Sequence, residues 1–350
     1  MAFSHQLQQR FQRLPRRLAG AATLCAVTVA CSSYTQDEAR QNAASKSVGL
    51  GYAFRVPEVV STTFKQPFRL DRGLLDGWGR ARNRLELDYE MECVIGEGGF
   101  GLVHRGRHKA SNTCVAMKRM PKQGTSNERF WHEVELLRQV GGHHNVVTFR
   151  DAFETTDAYV LVTEFVQGDE LYHELMEHGV FHEQRAKALI RQLAETLVYL
   201  HAHDVVHADV KPENILLAQD TQPANVRLID FGQSFHLQDE RRQTIHACTT
   251  AYASPELLTH RACGAAMDVW SLGVVLYIIL CGLHPFDPSD DASDDAIRHR
   301  ILEGDYDQAS MGWKCMSESA RDLVRQMLVV DPAKRISAAQ VLEHEWITSA

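Results

Sequence analysis

Ile95-Gly-Glu-Gly-Gly-Phe-Gly-Leu-Val103 places glycines at 96, 98 and 101 in a G-x-G-x-x-G-x-V spacing. Glycine reaches dihedrals that a β-carbon forbids and lets backbone approach a phosphate closely. A chance Gly-rich turn or a dinucleotide site would share this pattern. A dinucleotide loop leads into a helix, whereas Leu102-Val-His-Arg105 continues as strand. Fifteen residues past Val103, Val115-Ala-Met-Lys118 ends an apolar strand on a lysine. A buried ammonium needs a partner. Glu133 on the following helical segment is the candidate, and a snorkelling edge lysine is the bland alternative. His207-Ala-Asp-Val-Lys-Pro-Glu-Asn214 follows a helical stretch, and Asp230-Phe-Gly232 follows Val226-Arg-Leu-Ile229. Ala253-Ser-Pro-Glu256 and Asp268-Val-Trp-Ser-Leu-Gly273 come next. Separately each is a plausible loop; together, in this order and spacing, they leave almost no room for chance.

Those residues need elements to hold them. Tyr89–Ile95, Gly101–Arg107, Thr113–Arg119 and Asp157–Phe165 read as strands. Phe130, Val134 and Leu137 recur at i, i+4 and i+7 within a helix over Glu128–Val140. After Gln167 the helical period dominates, as in Leu189, Leu193, Leu197 and Leu200. Strands first and helices later imply an α+β arrangement in two lobes. The uncharged run Val269–Leu283 is 15 residues, short of the roughly 20 that span a membrane, and reads as a buried core helix.

The composition, 44% apolar and 23% charged over 350 residues, is that of a globular protein and excludes a disordered chain, a collagen or a coiled coil. Eight scattered cysteines, with no C-x-x-C pair, fit neither a zinc ribbon nor a disulfide scaffold. Residues 1–86 carry a net charge of +7 and residues 87–350 a net of −15. The acidic body argues against nucleic acid as the main partner. Residues 1–36 hold no acidic group, and Phe3, Leu7, Phe11, Leu14 and Leu18 form a stripe away from Arg10, Arg13, Arg16 and Arg17. This is the pattern of a mitochondrial targeting segment; a secretory signal and an untargeted cytoplasmic tail are the alternatives. Residues 37–86 read as a mostly irregular linker.

Together the motifs of residues 88–348 resemble a eukaryotic-type protein kinase. Cys281-Gly-Leu-His-Pro-Phe286 and the stretch Ser317–Ile347 look most like the calcium/calmodulin-dependent group of serine/threonine kinases. The resemblance implies a kinase domain over 87–348, with a β-rich N-lobe over 87–166 and a helical C-lobe over 167–348. It implies ATP and Mg²⁺ as cofactors. Ile95, Gly96, Glu97, Gly98, Gly99, Phe100 and Gly101 would cover the phosphates, and Val103 and Ala116 would sandwich the adenine. Lys118 would hold the α- and β-phosphates, oriented by Glu133. Thr163 would be the gatekeeper, Glu164–Val166 the hinge, and Glu170 would lie near the ribose. Asp230 and Asn214 would bind metal, Asp209 would take the substrate proton, and Lys211 would steady the γ-phosphate. Glu256 would pair with Arg335.

Lys211-Pro-Glu213 is the serine/threonine form of its motif, and Glu170 and Glu213 match positions that contact a basic residue upstream of the phosphoacceptor in related kinases. Ala208 departs from the pattern: the arginine usual there pairs with an activation-loop phosphate. Activity independent of phosphorylation at Thr244 or Thr249 is therefore expected. The sequence given stops three residues past Ile347, and direct calmodulin binding is not expected.

Overall fold

The structure, a computed structural model, describes residues 85–98, 101–219, 225–238, 250–261 and 263–349. Gly99, Phe100, Arg241, Arg242, Thr244, Thr249 and the N-terminal segment through residue 84 lie outside the described residues.

The chain enters through one helical turn, α1 (Leu85–Asp88), at the end of what the sequence reads as irregular linker. Leu85 packs on the apolar cluster beneath it, which explains the turn. Strands β1 (Tyr89–Gly98), β2 (Gly101–His108) and β3 (Thr113–Pro121) follow as a meander, then helix α2 (Asn127–Val140), β4 (Phe149–Glu154) and β5 (Ala158–Glu164). They form an antiparallel sheet in the order β1-β2-β3-β5-β4. Side chains alternate across a sheet, so its two faces differ. Val115, Met117, Val160 and Val162 pack with Tyr89 and Phe153 on one face. The register pairs Val103 with Lys118 and Ala116 with Thr163, which places these four on the opposite face. Ser126 caps α2 by accepting the Arg129 N–H, and the helix buries Phe130, Val134 and Leu137, the stripe expected from the sequence.

The larger lobe begins with β6 (Gly168–Glu170), α3 (Leu171–His178) and α4 (Glu183–Ala202). The short strands β7 (Val205–Val206), β8 (Ile215–Ala218), β9 (Asn225–Leu228) and β10 (Phe235–His236) flank the catalytic-type loops. Helices α5 (Pro255–Leu258), α6 (Ala266–Cys281), α7 (Asp294–Glu303), α8 (Met311–Cys315), α9 (Glu318–Met327), α10 (Ala338–Glu343) and α11 (Glu345–Thr348) complete it. Helix α6 is buried on every side from Met267 to Cys281, as the uncharged run predicts. It ends where Gly282 takes a left-handed φ of 72°. Among the described residues no helix is long and apolar enough to cross a membrane.

Two polar ties close this lobe. The Arg335 guanidinium donates two bonds to the Glu256 carboxylate, at 2.8 and 2.9 Å, in full burial. Glu183, at the start of α4, accepts from the Ser317 N–H, the Ser317 hydroxyl and the Trp346 indole N–H.

Candidate active site

Lys118 is the hub on the smaller lobe. Its Nζ donates to Glu133 Oε1 at 2.9 Å and to Asp230 Oδ1 at 2.7 Å. The ammonium-bearing side chain is only 11% exposed and that of Glu133 only 4%. Burial pulls the Lys118 ammonium down, but the carboxylates of Asp230 and Glu133 outweigh it and hold its pKa above the ordinary lysine range. Burial raises the Asp230 carboxyl, yet Lys118 and the Gly232 N–H prevail and hold it down at about 2. Both groups are therefore charged at neutral pH.

The second cluster lies on the loop after β7. Asp268, wholly buried on the first turn of α6, accepts the backbone N–H groups of His207 at 3.0 Å and Ala208 at 2.8 Å, and the His201 ring at 2.9 Å. These bonds shape the loop and hold Ala208 at a left-handed φ of 64°. For a residue with a β-carbon this costs roughly 1–2 kcal/mol. The sequence pattern singles out Asp268 only as part of a motif; its anchoring role depends on backbone donors 60 positions away.

Asp209 Oδ2 accepts from Lys211 Nζ at 2.8 Å and from Asn214 Nδ2 at 2.9 Å. Asn214 Nδ2 also donates to the Asp209 carbonyl at 2.8 Å. Burial lowers the Lys211 ammonium, but Asp209 outweighs it and raises the pKa. The Ile229 N–H donates to the Asn214 carbonyl at 3.0 Å, and the His207 ring bonds the Ile229 carbonyl at 3.0 Å. These contacts bring Asp230 beside Asn214. Asp230 itself sits at φ 61°.

Asn214 commits its amide nitrogen to Asp209, leaving its amide oxygen as an acceptor. Asp230 commits Oδ1 to Lys118 and the Gly232 N–H. The pair offers hard oxygens, the donor chemistry Mg²⁺ takes, so the residues present fit that ion.

Ile95, Gly96, Glu97 and Gly98 lie at the end of β1, and Gly101 and Val103 open β2. The third glycine answers to packing: a Cβ at Gly101 would stand 2.0 Å from the Arg119 carbonyl oxygen, at a φ of 155°. Glu164 ends β5, and its carboxylate caps Thr148 through N and Oγ1. Glu164–Val166 is the connection between β5 and β6, hence between the lobes.

Glu170 and Glu213 meet where β6 and α3 pack on the turn Pro212–Asn214. Burial, with the charges of Glu213 and Asp169, pushes Glu170 up to about 7. Burial pushes Glu213 up to about 7 as well. Glu213 Oε2 is buried with no hydrogen-bond partner among the described residues. A contact absent from the sequence reading joins the lobes: Arg129 Nη2 donates to the Gly232 carbonyl at 3.2 Å. No sequence signal points to it, because the acceptor is a backbone atom 103 residues on.

Residues 89–347 match the protein kinase domain family. The chain belongs to that family. It is 37% identical over 261 residues to human ribosomal protein S6 kinase alpha-3, covering 74% of this chain and 35% of that protein. It is 34% identical over 275 residues to human calcium/calmodulin-dependent protein kinase type IV, covering 78% and 57%. It is 34% identical over 310 residues to the serine/threonine-protein kinase PKZ1 of Phytophthora infestans, covering 79% and 76%. The matched stretch is about a third of the length of the S6 kinase and somewhat over half of the type IV kinase.

Proposed function

We propose that this kinase transfers the γ-phosphate of Mg-ATP to serine and threonine hydroxyls of protein substrates that carry a basic residue upstream of the acceptor. The observation that carries this reading is the joint geometry of Lys118–Glu133–Asp230 and Asp209–Lys211–Asn214. Phosphoryl transfer needs little covalent help, so the protein's work is positioning and charge neutralisation. Lys118, charged and locked by two carboxylates, holds the α- and β-phosphates. Asp230 and Asn214 would hold Mg²⁺, and the ion would supply charge neutralisation at the phosphates. Asp209 orients the substrate hydroxyl and takes its proton, and Lys211 meets the charge that develops on the γ-phosphate. The buried Oε2 of Glu213, which has no hydrogen-bond partner among the described residues and lies beside Glu170, suits a guanidinium or ammonium from the substrate.

The subgroup reading is the calcium/calmodulin-dependent group, supported by the type IV relative and the closing motifs. The kinase domain proposed spans 87–348. Ala208 supports activity that does not wait for activation-loop phosphorylation. Residues 1–36 are proposed to direct the chain to mitochondria, with a cytoplasmic protein as the alternative; a fusion of residues 1–40 to a fluorescent reporter decides, and diffuse cytosolic signal overturns the mitochondrial assignment. The activity itself is tested by phosphate transfer from labelled ATP to Ser/Thr peptides with and without an upstream arginine. Preference for the basic peptides is expected. No transfer to any peptide or to general protein substrates overturns the reading.

A further inference from the structure

Arg129 lies one turn before Glu133 on α2, so the two share a face of the helix. Each grips the turn that starts at Asp230. Glu133 does so through Lys118, which bonds both carboxylates. Arg129 does so directly, through the Gly232 carbonyl. The turn is tight here: Gly232 N–H donates to Asp230 Oδ1 at 3.1 Å, and a Cβ on Gly232 would stand 3.0 Å from that oxygen and 3.3 Å from Glu133 Oε2. At its far end α2 is held to the larger lobe by Gln139 Nε2, which donates to the His203 carbonyl at 2.7 Å. Arg129 adds a hold on the turn at Asp230 four residues before Glu133, about 6 Å along the axis at 1.5 Å per residue, so the N-terminal half of the helix is fixed at two points beside that turn. His132, on the neighbouring face, adds an edge-to-face contact to His236 of β10 at 6.0 Å.

The far side of the turn is tied to the catalytic loop by the His207 ring on the Ile229 carbonyl and by the Ser234 hydroxyl on the His207 carbonyl. Ala208 brings only a methyl group to that loop. Arg129 is half-buried; burial lowers its pKa while Glu133 and Asp230 oppose the shift. Its bond to the carbonyl is therefore charge-assisted, the stronger class of hydrogen bond.

We propose that Arg129 is a positioning residue: by holding the Gly232 carbonyl it keeps α2 docked and Glu133 on Lys118, the ordering task that an activation-segment phosphate and its arginine would otherwise perform. This rests on the kinase reading above.

The test uses the full chain after treatment with a broad-specificity protein phosphatase, so that no loop phosphate substitutes. Wild type, Arg129→Met, Arg129→Lys, Glu133→Gln and the Arg129→Met/Glu133→Gln double variant are compared by kcat and KM for a basic peptide and by amide hydrogen exchange over residues 127–140. Arg129→Met is expected to lower kcat about tenfold, near 1.4 kcal/mol, and to speed exchange in α2. Arg129→Lys should recover most of both. The double variant should be no slower than Glu133→Gln within about twofold, because the two residues act through one alignment. A kcat within twofold of wild type, unchanged exchange in α2, or multiplying losses in the double variant overturns the proposal. If Arg129→Met does not fold, the same limits apply to Arg129→Gln. Wild type that is inactive before as well as after phosphatase treatment sinks the kinase reading instead, and the exchange data then still decide whether Arg129 tethers α2; wild type that is inactive only after treatment overturns the proposal, because Arg129 does not replace the phosphate.

Discussion

Replacing Glu213 by glutamine removes a charge while keeping shape, and its consequences can be worked out from where the carboxylate sits. In the free protein both Glu213 and Glu170 are held up to about 7, chiefly by burial. An arginine entering the site would bond Glu213 Oε2, which has no partner among the described residues. A charge-assisted bond of this kind is worth about 1.5–3 kcal/mol, so Glu213→Gln should cut kcat/KM for peptides with an upstream arginine roughly ten- to a hundredfold. Peptides without it should be nearly unaffected. For the wild type, a carboxylate titrating near 7 is about a tenth ionised at pH 6 and about nine-tenths at pH 8. The kcat/KM for basic peptides should therefore rise about tenfold between those values more than it does for neutral peptides. The stability sign is opposite. A raised carboxyl pKa means that the folded state binds the proton more tightly than the unfolded chain, so its stabilising contribution is present below about 4.5 and lost as pH rises through 7. Glu213→Gln should consequently raise Tm relative to wild type at pH 8 and give no such gain at pH 5. Peptide kinetics across pH and thermal unfolding at the two pH values provide the assay. Equal losses for basic and neutral peptides, or no loss for either, would refute the assignment of this pair to substrate recognition.

Asp209→Asn should lower kcat by about 10² or more while leaving ATP affinity, read by titration calorimetry, close to wild type; a residual rate above about a tenth contradicts the role given to Asp209. Glu256→Ala leaves the buried Arg335 guanidinium its backbone carbonyl acceptors but no counter-charge and should cost about 3–5 kcal/mol in urea unfolding, and a loss under about 1 kcal/mol would show that the tie is not structural. Thr244→Ala, like phosphatase treatment, should lower activity less than threefold, or below about 0.7 kcal/mol. A tenfold loss in either experiment would end the reading of phosphorylation-independent activity.

The parts of the site that could be read from sequence are those whose chemistry depends on local spacing. The strand period around Val115–Lys118 places the lysine on the cleft face, and the helical stripe of Phe130, Val134 and Leu137 turns Glu133 toward it. Burial of α6 follows from a run without charges. What escaped reading depends on backbone atoms brought together by the fold. Asp268 is a buried acid whose three donors belong to α4 and the catalytic loop, and nothing in Asp268-Val-Trp marks them. Arg129 meets a carbonyl, and every residue has one. The third glycine of the loop reads as phosphate chemistry, yet at Gly101 the nearer constraint is the Arg119 carbonyl of the adjacent strand.

The bonds that Glu183 makes to Ser317 and Trp346 also set an order of events during synthesis. The smaller lobe pairs β1, β2 and β3 in sequence and can close them as the chain emerges. Helix α4 cannot finish its surroundings in this way, because Trp346 follows Glu183 by 163 positions. At a translation rate of roughly 5–20 residues per second, the interval is on the order of ten seconds. Throughout it the apolar face of α4, including Leu189, Leu193 and Leu197, lacks part of its final cover. Nascent chains of this protein thus present a long-lived apolar helix to the cell, and chaperone engagement should centre on α4 rather than on the earlier-closing sheet.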